Sequence, residues 1–270
     1  VAGARRPGVG GPQPSRQAGP TAADAQFPAG ACCRHAGWAW LPGPLMSMPL
    51  RPLRPCLLSG GNSRRMGQDK ALLPHPEGGT WLERQLRLLA SLGEPVTLLT
   101  RHASHLELAD RLAVQGVPVR HPIQEGQQQG GPLLALQSLL AGYPDALILL
   151  CPVDMPWLQQ DSLEQFVLGW AQADGLEAIA VAHDGERTQP LLGLYPATVE
   201  RLNRLRRFTQ AGGRGLQRWL EQEPLNRVAL PADQLRNCNH PDDCLGLVPS
   251  SGQPGWREAA MGSNLQEPGQ

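Results

Sequence analysis

Between residues 55 and 151 the chain alternates short, continuously apolar runs with longer segments whose apolar residues recur at helical spacing, and this alternation restricts the fold more than any other feature. The run Pro55–Ser59 leads into a glycine-rich turn. Thr80–Gly93 (TWLERQLRLLASLG) has the spacing of a helix closed by glycine, and Pro95–Thr100 (PVTLLT) reads as a strand. Ser104–Gly116 then predicts a helix, Val117–Val119 a short strand, Pro132–Tyr143 a helix and Ala146–Cys151 (ALILLC) a fully buried strand. Strands separated by helices form βαβ units, so the pattern predicts an α/β fold around a mostly parallel sheet. Ligands of such sheets bind beyond the carboxyl ends of the strands. Farther on, Ala178–Ala182 and Pro190–Tyr195 read as a strand pair joined by the turn HDGERTQ. Two helices follow, and the core is expected to close near Leu247.

Composition bounds this core on both sides. Residues 1–46 hold 25 Gly, Ala or Pro and one acidic residue, too little apolar periodicity to offset the entropy of ordering. The expected organisation is a disordered extension over 1–47, one domain over 48–248 and a loose tail over 249–270. The acid-poor leader is either a transit peptide, which would need an amphipathic stripe it lacks, or sequence upstream of a start at Met46 or Met48. Formal net charge is zero, without the basic excess of a nucleic-acid binder. No run is apolar for long enough to cross a membrane. Six cysteines (Cys32, Cys33, Cys56, Cys151, Cys238, Cys244) show no CxxC spacing, and two lie in apolar strand-like runs, as expected for free thiols in a cytoplasmic protein.

The glycine turn, SGGNSRRMGQDK (Ser59–Lys70), follows the first strand, where this architecture receives phosphates. Gly60 and Gly61 let the backbone approach an anion and aim successive N–H groups at it. A Walker loop is excluded, because Gln-Asp-Lys follows Gly67 where Lys and Ser or Thr should stand, and the fingerprint GxGxxG is absent. What remains is a glycine pair followed by Arg64, Arg65 and Lys70. Lys70 is the only lysine in a chain with 23 arginines. Arginine is a planar fork and lysine a compact point charge, so this exception points to a task that needs the latter. The competing reading is a solvated basic turn.

A second stretch, LLCPVDMPWL (Leu149–Leu158), ends an apolar strand with Asp154 between Pro152 and Pro156. A carboxylate at the end of a central strand suits Mg²⁺, which prefers one or two carboxylates together with substrate phosphates. The alternative is a helix N-cap. A phosphate cradle and a metal carboxylate on one sheet edge would together make a nucleoside triphosphate site.

These residues resemble a known family. LSGGNSRRMGQDKALL (Leu58–Leu73) is similar to the signature of the nucleotidyltransferase superfamily, and its Asp-Lys ending resembles the molybdenum cofactor guanylyltransferases, the MobA family. Gly131–Leu136, Cys151–Pro156, His183–Tyr195, Gln210–Leu220 and Arg236–Asp243 agree in order, so the resemblance spans about residues 53–247. It implies a Rossmann-like three-layer α/β/α fold of the nucleotide-diphospho-sugar transferase type. It also implies transfer of GMP from GTP to the terminal phosphate of molybdopterin cofactor, releasing pyrophosphate.

By that similarity Leu58, Ser59, Gly60 and Gly61 line the nucleotide pocket, Lys70 neutralises the triphosphate alongside Arg64 and Arg65, and Asp154 binds Mg²⁺. Asn237 and Asn239 would lie near the acceptor phosphate and Arg214 near the pterin phosphate. For the asparagines the alternative is turn chemistry before Pro241, and for Arg214 a surface position without a role. Family members carry an aspartate before the GPL segment, where this chain has HPIQEGQQQGGPL (His121–Leu133), with Gln124 or Glu125 as substitutes. The implied partners are GTP and the molybdopterin cofactor, with transient contact to proteins that deliver or accept the cofactor. The alternatives are a cytidylyltransferase of the same fold and a non-catalytic nucleotide-binding protein on this scaffold.

Overall fold

The structure, a computed structural model, describes residues 51–61, 67–120, 131–173, 177–239 and 243. The expected N-terminal extension and C-terminal tail, Arg64, Arg65, Gln124, Glu125 and Leu247 lie outside these residues.

Seven strands form one sheet: β1 (Leu53–Leu58), β2 (Val96–Leu99), β3 (Val119–Arg120), β4 (Leu147–Pro152), β5 (Ile179–His183), β6 (Thr188–Pro196) and β7 (Leu225–Ala229), in the order β3-β2-β1-β4-β6-β5-β7. Only β6 runs antiparallel to its neighbours β4 and β5; the other pairings are parallel. From β1 the chain moves outward through β2 and β3, then crosses back to lay β4 on the other side of β1. The strand order therefore reverses between β1 and β4, which is where open α/β sheets bind ligands.

Alternate strand residues separate into two apolar layers, as the pleat requires. Leu57, Leu147, Leu149 and Cys151 face a cluster with helices α1 (Trp81–Ala90), α2 (Ala103–Val114) and α4 (Gln160–Gln172). Cys56, Ile148 and Leu150 face the opposite cluster with α3 (Gly131–Gly142), α5 (Val199–Gln210) and α6 (Leu216–Leu220). Helices thus cover both faces of the sheet, and β4 is buried along its whole length, which explains its unbroken apolar sequence. The expected three-layer α/β/α architecture is the observed one.

Local signals account for the element ends. Thr80 and Glu83 form a reciprocal capping box at the start of α1, with Glu83 N donating to Thr80 Oγ1 at 3.2 Å and Thr80 N to Glu83 Oε2 at 2.7 Å. In the β5–β6 hairpin, Asp184 Oδ1 accepts from the backbone N–H of Arg187 at 2.7 Å and of Glu186 at 2.9 Å. The Arg187 bond above all, then the Glu186 bond, holds the Asp184 carboxyl below its usual range. The third strand begins later than the apolar spacing predicts, because Pro118 has no N–H and enters the ladder only as an acceptor from Val96 N at 2.8 Å. The edge strand β7 has no counterpart among the sequence expectations.

Candidate active site

At the switch point the chain leaves β1 into Ser59, Gly60 and Gly61 and leaves β4 into Val153 and Asp154. Leu58 pairs with Pro152 in the ladder, and Val153 N donates to Leu58 O at 3.1 Å, so the glycine turn and the carboxylate begin side by side. Both glycines adjoin open space, where an added Cβ would meet nothing among the described residues, and neither has the positive φ that demands glycine. Neither packing among the described residues nor backbone strain calls for glycine here, and the open space leaves this backbone accessible to an approaching group.

Lys70 opens a short 3₁₀ turn (Lys70–Leu72) capped by Asp69, whose Oδ1 accepts from Ala71 N at 3.1 Å. From there Lys70 Nζ donates to Asp154 Oδ2 at 2.8 Å and to Asn239 Oδ1 at 3.3 Å. The lysine and aspartate side chains are 14% and 17% exposed, so the pair is shielded but open at one edge. Asp154 is not a helix cap, since α4 begins at Gln160 with Gln159 at its N-cap. Its carbonyl accepts from Cys238 N at 2.9 Å, tying the Asn-Cys-Asn segment to the same loop. From α1, the buried Gln85 donates through Nε2 to Met155 O, and Arg84 donates through Nη1 to Leu158 O at 2.8 Å. The loop that carries Asp154 is therefore held from both sides.

The other oxygen of the carboxylate carries the strongest hint of a missing group. Asp154 Oδ1 is buried and has no hydrogen-bond partner among the described residues. An orphaned buried carboxylate oxygen costs free energy unless a ligand satisfies it. Among the described residues no group of three or more His, Cys, Asp or Glu could form a metal cage. One carboxylate with an unengaged lone pair, and no cage among the described residues, fits a hard cation such as Mg²⁺ that takes its other ligands from water and substrate phosphates.

The structure brings together Leu58, Ser59, Gly60, Gly61, Lys70, Asp154 and Asn239. Asn237 is held one strand over, its Nδ2 donating to Gln189 Oε1 at 3.0 Å. The asparagines thus bond across the site, as well as within their own segment, where Asn239 N donates to Asp243 Oδ2 at 2.8 Å. Arg214 is exposed on the glycine-rich loop between α5 and α6 and makes no hydrogen bond to these residues. The Ser59 hydroxyl turns inward to His105, 2.6 Å from Nδ1. Sequence reasoning missed Gln189, Cys238, Asp69 and His105. Asp69 was in view only as the first half of the Asp-Lys pair.

A mostly parallel sheet bearing a glycine turn, a lysine and a carboxylate at its switch point is the architecture of a nucleotidyltransferase. Comparison with known proteins agrees and is narrower: the chain belongs to the family described as the MobA-like NTP transferase domain, matched over residues 56–228, and is an enzyme of the nucleotidyltransferase class. A protein of Rhodopirellula baltica named probable molybdenum cofactor guanylyltransferase is 36% identical over 198 residues, covering 71% of this chain and 90% of that protein. Two solved structures share the fold. Molybdopterin-guanine dinucleotide biosynthesis protein A of Archaeoglobus fulgidus has a TM-score of 0.51 at 21% identity, covering 70% of this chain and 94% of that one. The 4-diphosphocytidyl-2C-methyl-D-erythritol synthase of Anaerococcus prevotii has a TM-score of 0.55 at 10% identity, covering 72% and 94%.

Proposed function

We propose that this enzyme transfers GMP from GTP to the terminal phosphate of molybdopterin cofactor, forming the guanine dinucleotide cofactor and pyrophosphate. The observation that carries this reading is the contact of the sole lysine, at 2.8 Å, with a carboxylate whose second oxygen is orphaned. It occurs in a chain 36% identical to a relative named for that reaction.

In this reading an acceptor phosphate oxygen, already a nucleophile at neutral pH, forms a bond to the α-phosphorus of GTP. The bond from that phosphorus to the bridging oxygen breaks, and pyrophosphate leaves with its electron pair. The protein's part is alignment and charge stabilisation. Backbone N–H groups of Gly60 and Gly61 cradle the phosphates, with Leu58 and Ser59 beside them, the Ser59 N–H being held by Leu99 O at 2.9 Å. Lys70 stabilises charge on the departing pyrophosphate, helped by Arg64 and Arg65. Asp154 would hold Mg²⁺, which when bound neutralises phosphate charge. Asn237, Asn239 and Arg214 would receive the acceptor, whose protein donors and recipients would dock only transiently. Among the described residues no helix is long and apolar enough to cross a membrane, and the buried free thiols Cys56 and Cys151 suit a cytoplasmic setting.

The test supplies purified protein with the cofactor acceptor and each α-labelled nucleoside triphosphate in turn. GTP is expected to label the acceptor; preference for CTP would overturn the guanylyl assignment, and no transfer from any nucleotide would overturn the reaction.

A further inference from the structure

His105 lies in the first turn of α2, is 1% exposed, and has both ring nitrogens engaged. Nε2 is 2.7 Å from Asp69 Oδ2, and Nδ1 is 2.6 Å from Ser59 Oγ and 2.9 Å from Thr100 Oγ1. The partners come from three separate places: the residue before the lysine turn, the end of β1 and the end of β2. Asp69 already caps the turn that begins with Lys70, so fixing its carboxylate fixes the backbone that carries the lysine. Ser59 is the residue before Gly60, so fixing its hydroxyl fixes the base of the glycine turn. Nearby, His102 stands against His105 with ring centroids 4.7 Å apart, and its Nε2 is 3.1 Å from Gly61 O.

Proton accounting makes the arrangement specific. An ionised carboxylate only accepts, so the proton between Asp69 and His105 belongs to Nε2. In the neutral ring Nδ1 is then an acceptor, and the Ser59 hydroxyl donates to it. Thr100 has a separate outlet, its hydroxyl 3.2 Å from Ser59 O, while it accepts from His102 N at 3.1 Å. In this pattern both ring nitrogens of His105 and the hydroxyls of Ser59 and Thr100 have partners. A hydrolytic Ser-His-Asp reading fails on access, because Ser59 is 2% exposed and its hydroxyl faces the ring.

We propose that His105 is a positioning residue: one buried imidazole that locks Lys70, through Asp69, and the glycine turn, through Ser59 and Thr100, into a single preorganised phosphate site. The consequence for turnover rests on the nucleotidyl-transfer reading above; the positioning itself does not, and the two are separable by experiment. Because the chain has one lysine, protein grown on lysine labelled with ¹⁵N at Nζ gives one ammonium signal, that of Lys70.

His105→Asn can still face Ser59 and Thr100 but is too short to reach Asp69. In this variant the Lys70 signal is expected to narrow and move toward that of free lysine. Affinity for Mg²⁺·GTP is expected to fall about ten- to a hundred-fold, the range seen when a partner that orients a functional group is lost. His105→Gln, which can reach Asp69, should recover part of both. Leu108→Ala, on the same helix but in the apolar core, provides a comparable loss of thermal stability and should leave the Lys70 signal in place.

An unchanged Lys70 signal in His105→Asn, or the same change in Leu108→Ala, would overturn the proposal. If His105→Asn does not fold, Asp69→Asn and the ¹⁵N spectrum of the wild-type histidines decide: Nε2 of His105 must carry a proton, and a bare Nε2 overturns it. Wild-type protein that binds no GTP yet shows the His105-dependent Lys70 signal would refute the reaction and keep the positioning.

Discussion

Lys70→Ala removes the only ammonium group from the switch point. In the wild type Nζ is 2.8 Å from Asp154 Oδ2 in a site where both side chains are less than one-fifth exposed. A unit charge acting over about 4 Å at an effective dielectric near 20 is worth about 4 kcal/mol. Only the share that grows as the pyrophosphate departs appears in the rate. Loss of one such stabilising group typically costs about 10²–10³ in kcat, or roughly 3–4 kcal/mol, consistent with most of that Coulombic ceiling.

The folded state should lose less. Asp154 Oδ2 joins Oδ1 without a partner, a cost of about 1–3 kcal/mol, while the Asp154–Cys238 backbone bond stays. The assay is pyrophosphate release with saturating GTP and acceptor, alongside a thermal melt. We expect kcat to fall by about 10²–10³ with a cooperative melt retained. Lys70→Arg keeps the charge but not its compact geometry, and should fall between wild type and alanine. Turnover by Lys70→Ala within a few-fold of wild type would refute the role assigned to the lysine.

Three further perturbations test other parts of the structure. Gly61→Ala adds a methyl group where the described protein leaves open space, so the melt should be unchanged while GTP affinity drops in a direct titration. His75 is buried against Trp157, and burial, reinforced by Arg84, lowers its pKa from 6.5 to about 4. The native state therefore holds fewer protons than the unfolded chain between those values, so stability is complete above about pH 6.5 and declines as pH falls toward 4. The full shift corresponds to about 3.5 kcal/mol at about 1.4 kcal/mol per unit, which solvent screening reduces to roughly 2–3 kcal/mol, and urea melts of His75→Gln should lack this acid limb. Gly193→Ala would place its Cβ 2.5 Å from the ring of the fully buried Tyr195, and such overpacking should cost about 1–3 kcal/mol in denaturant melts.

Much of the architecture was legible because burial imposes period and composition together. ALILLC could only be a strand covered on both faces, and the apolar spacing of Thr80–Gly93 with its closing glycine marked α1. The β7 segment LNRVA was not legible, since it is half-exposed and carries an arginine, and its strand character comes from pairing with β5 more than forty residues earlier. Strand order was equally hidden, because the crossover from β3 to β4 is a property of packing.

At the site, Lys70 stood out by its rarity and Asp154 by its flanking prolines, and the strand pattern put both on one sheet edge without showing that they touch. Their 84-residue separation in sequence concealed the 2.8 Å contact. His105 left only a faint mark. A lone histidine on the apolar face of a helix looks like core, and only its two bonded nitrogens show otherwise. The one available signal was an ionisable residue at a buried helical position near Thr100.

The most direct measurement uses the same single lysine. Protein labelled at Lys70 and titrated with Mn²⁺·GTP should lose the Lys70 side-chain resonance to paramagnetic broadening, and Asp154→Asn should restore it. A Lys70 signal that stays sharp while Mn²⁺·GTP is bound would mean that the ammonium group and the metal-nucleotide occupy different parts of the molecule.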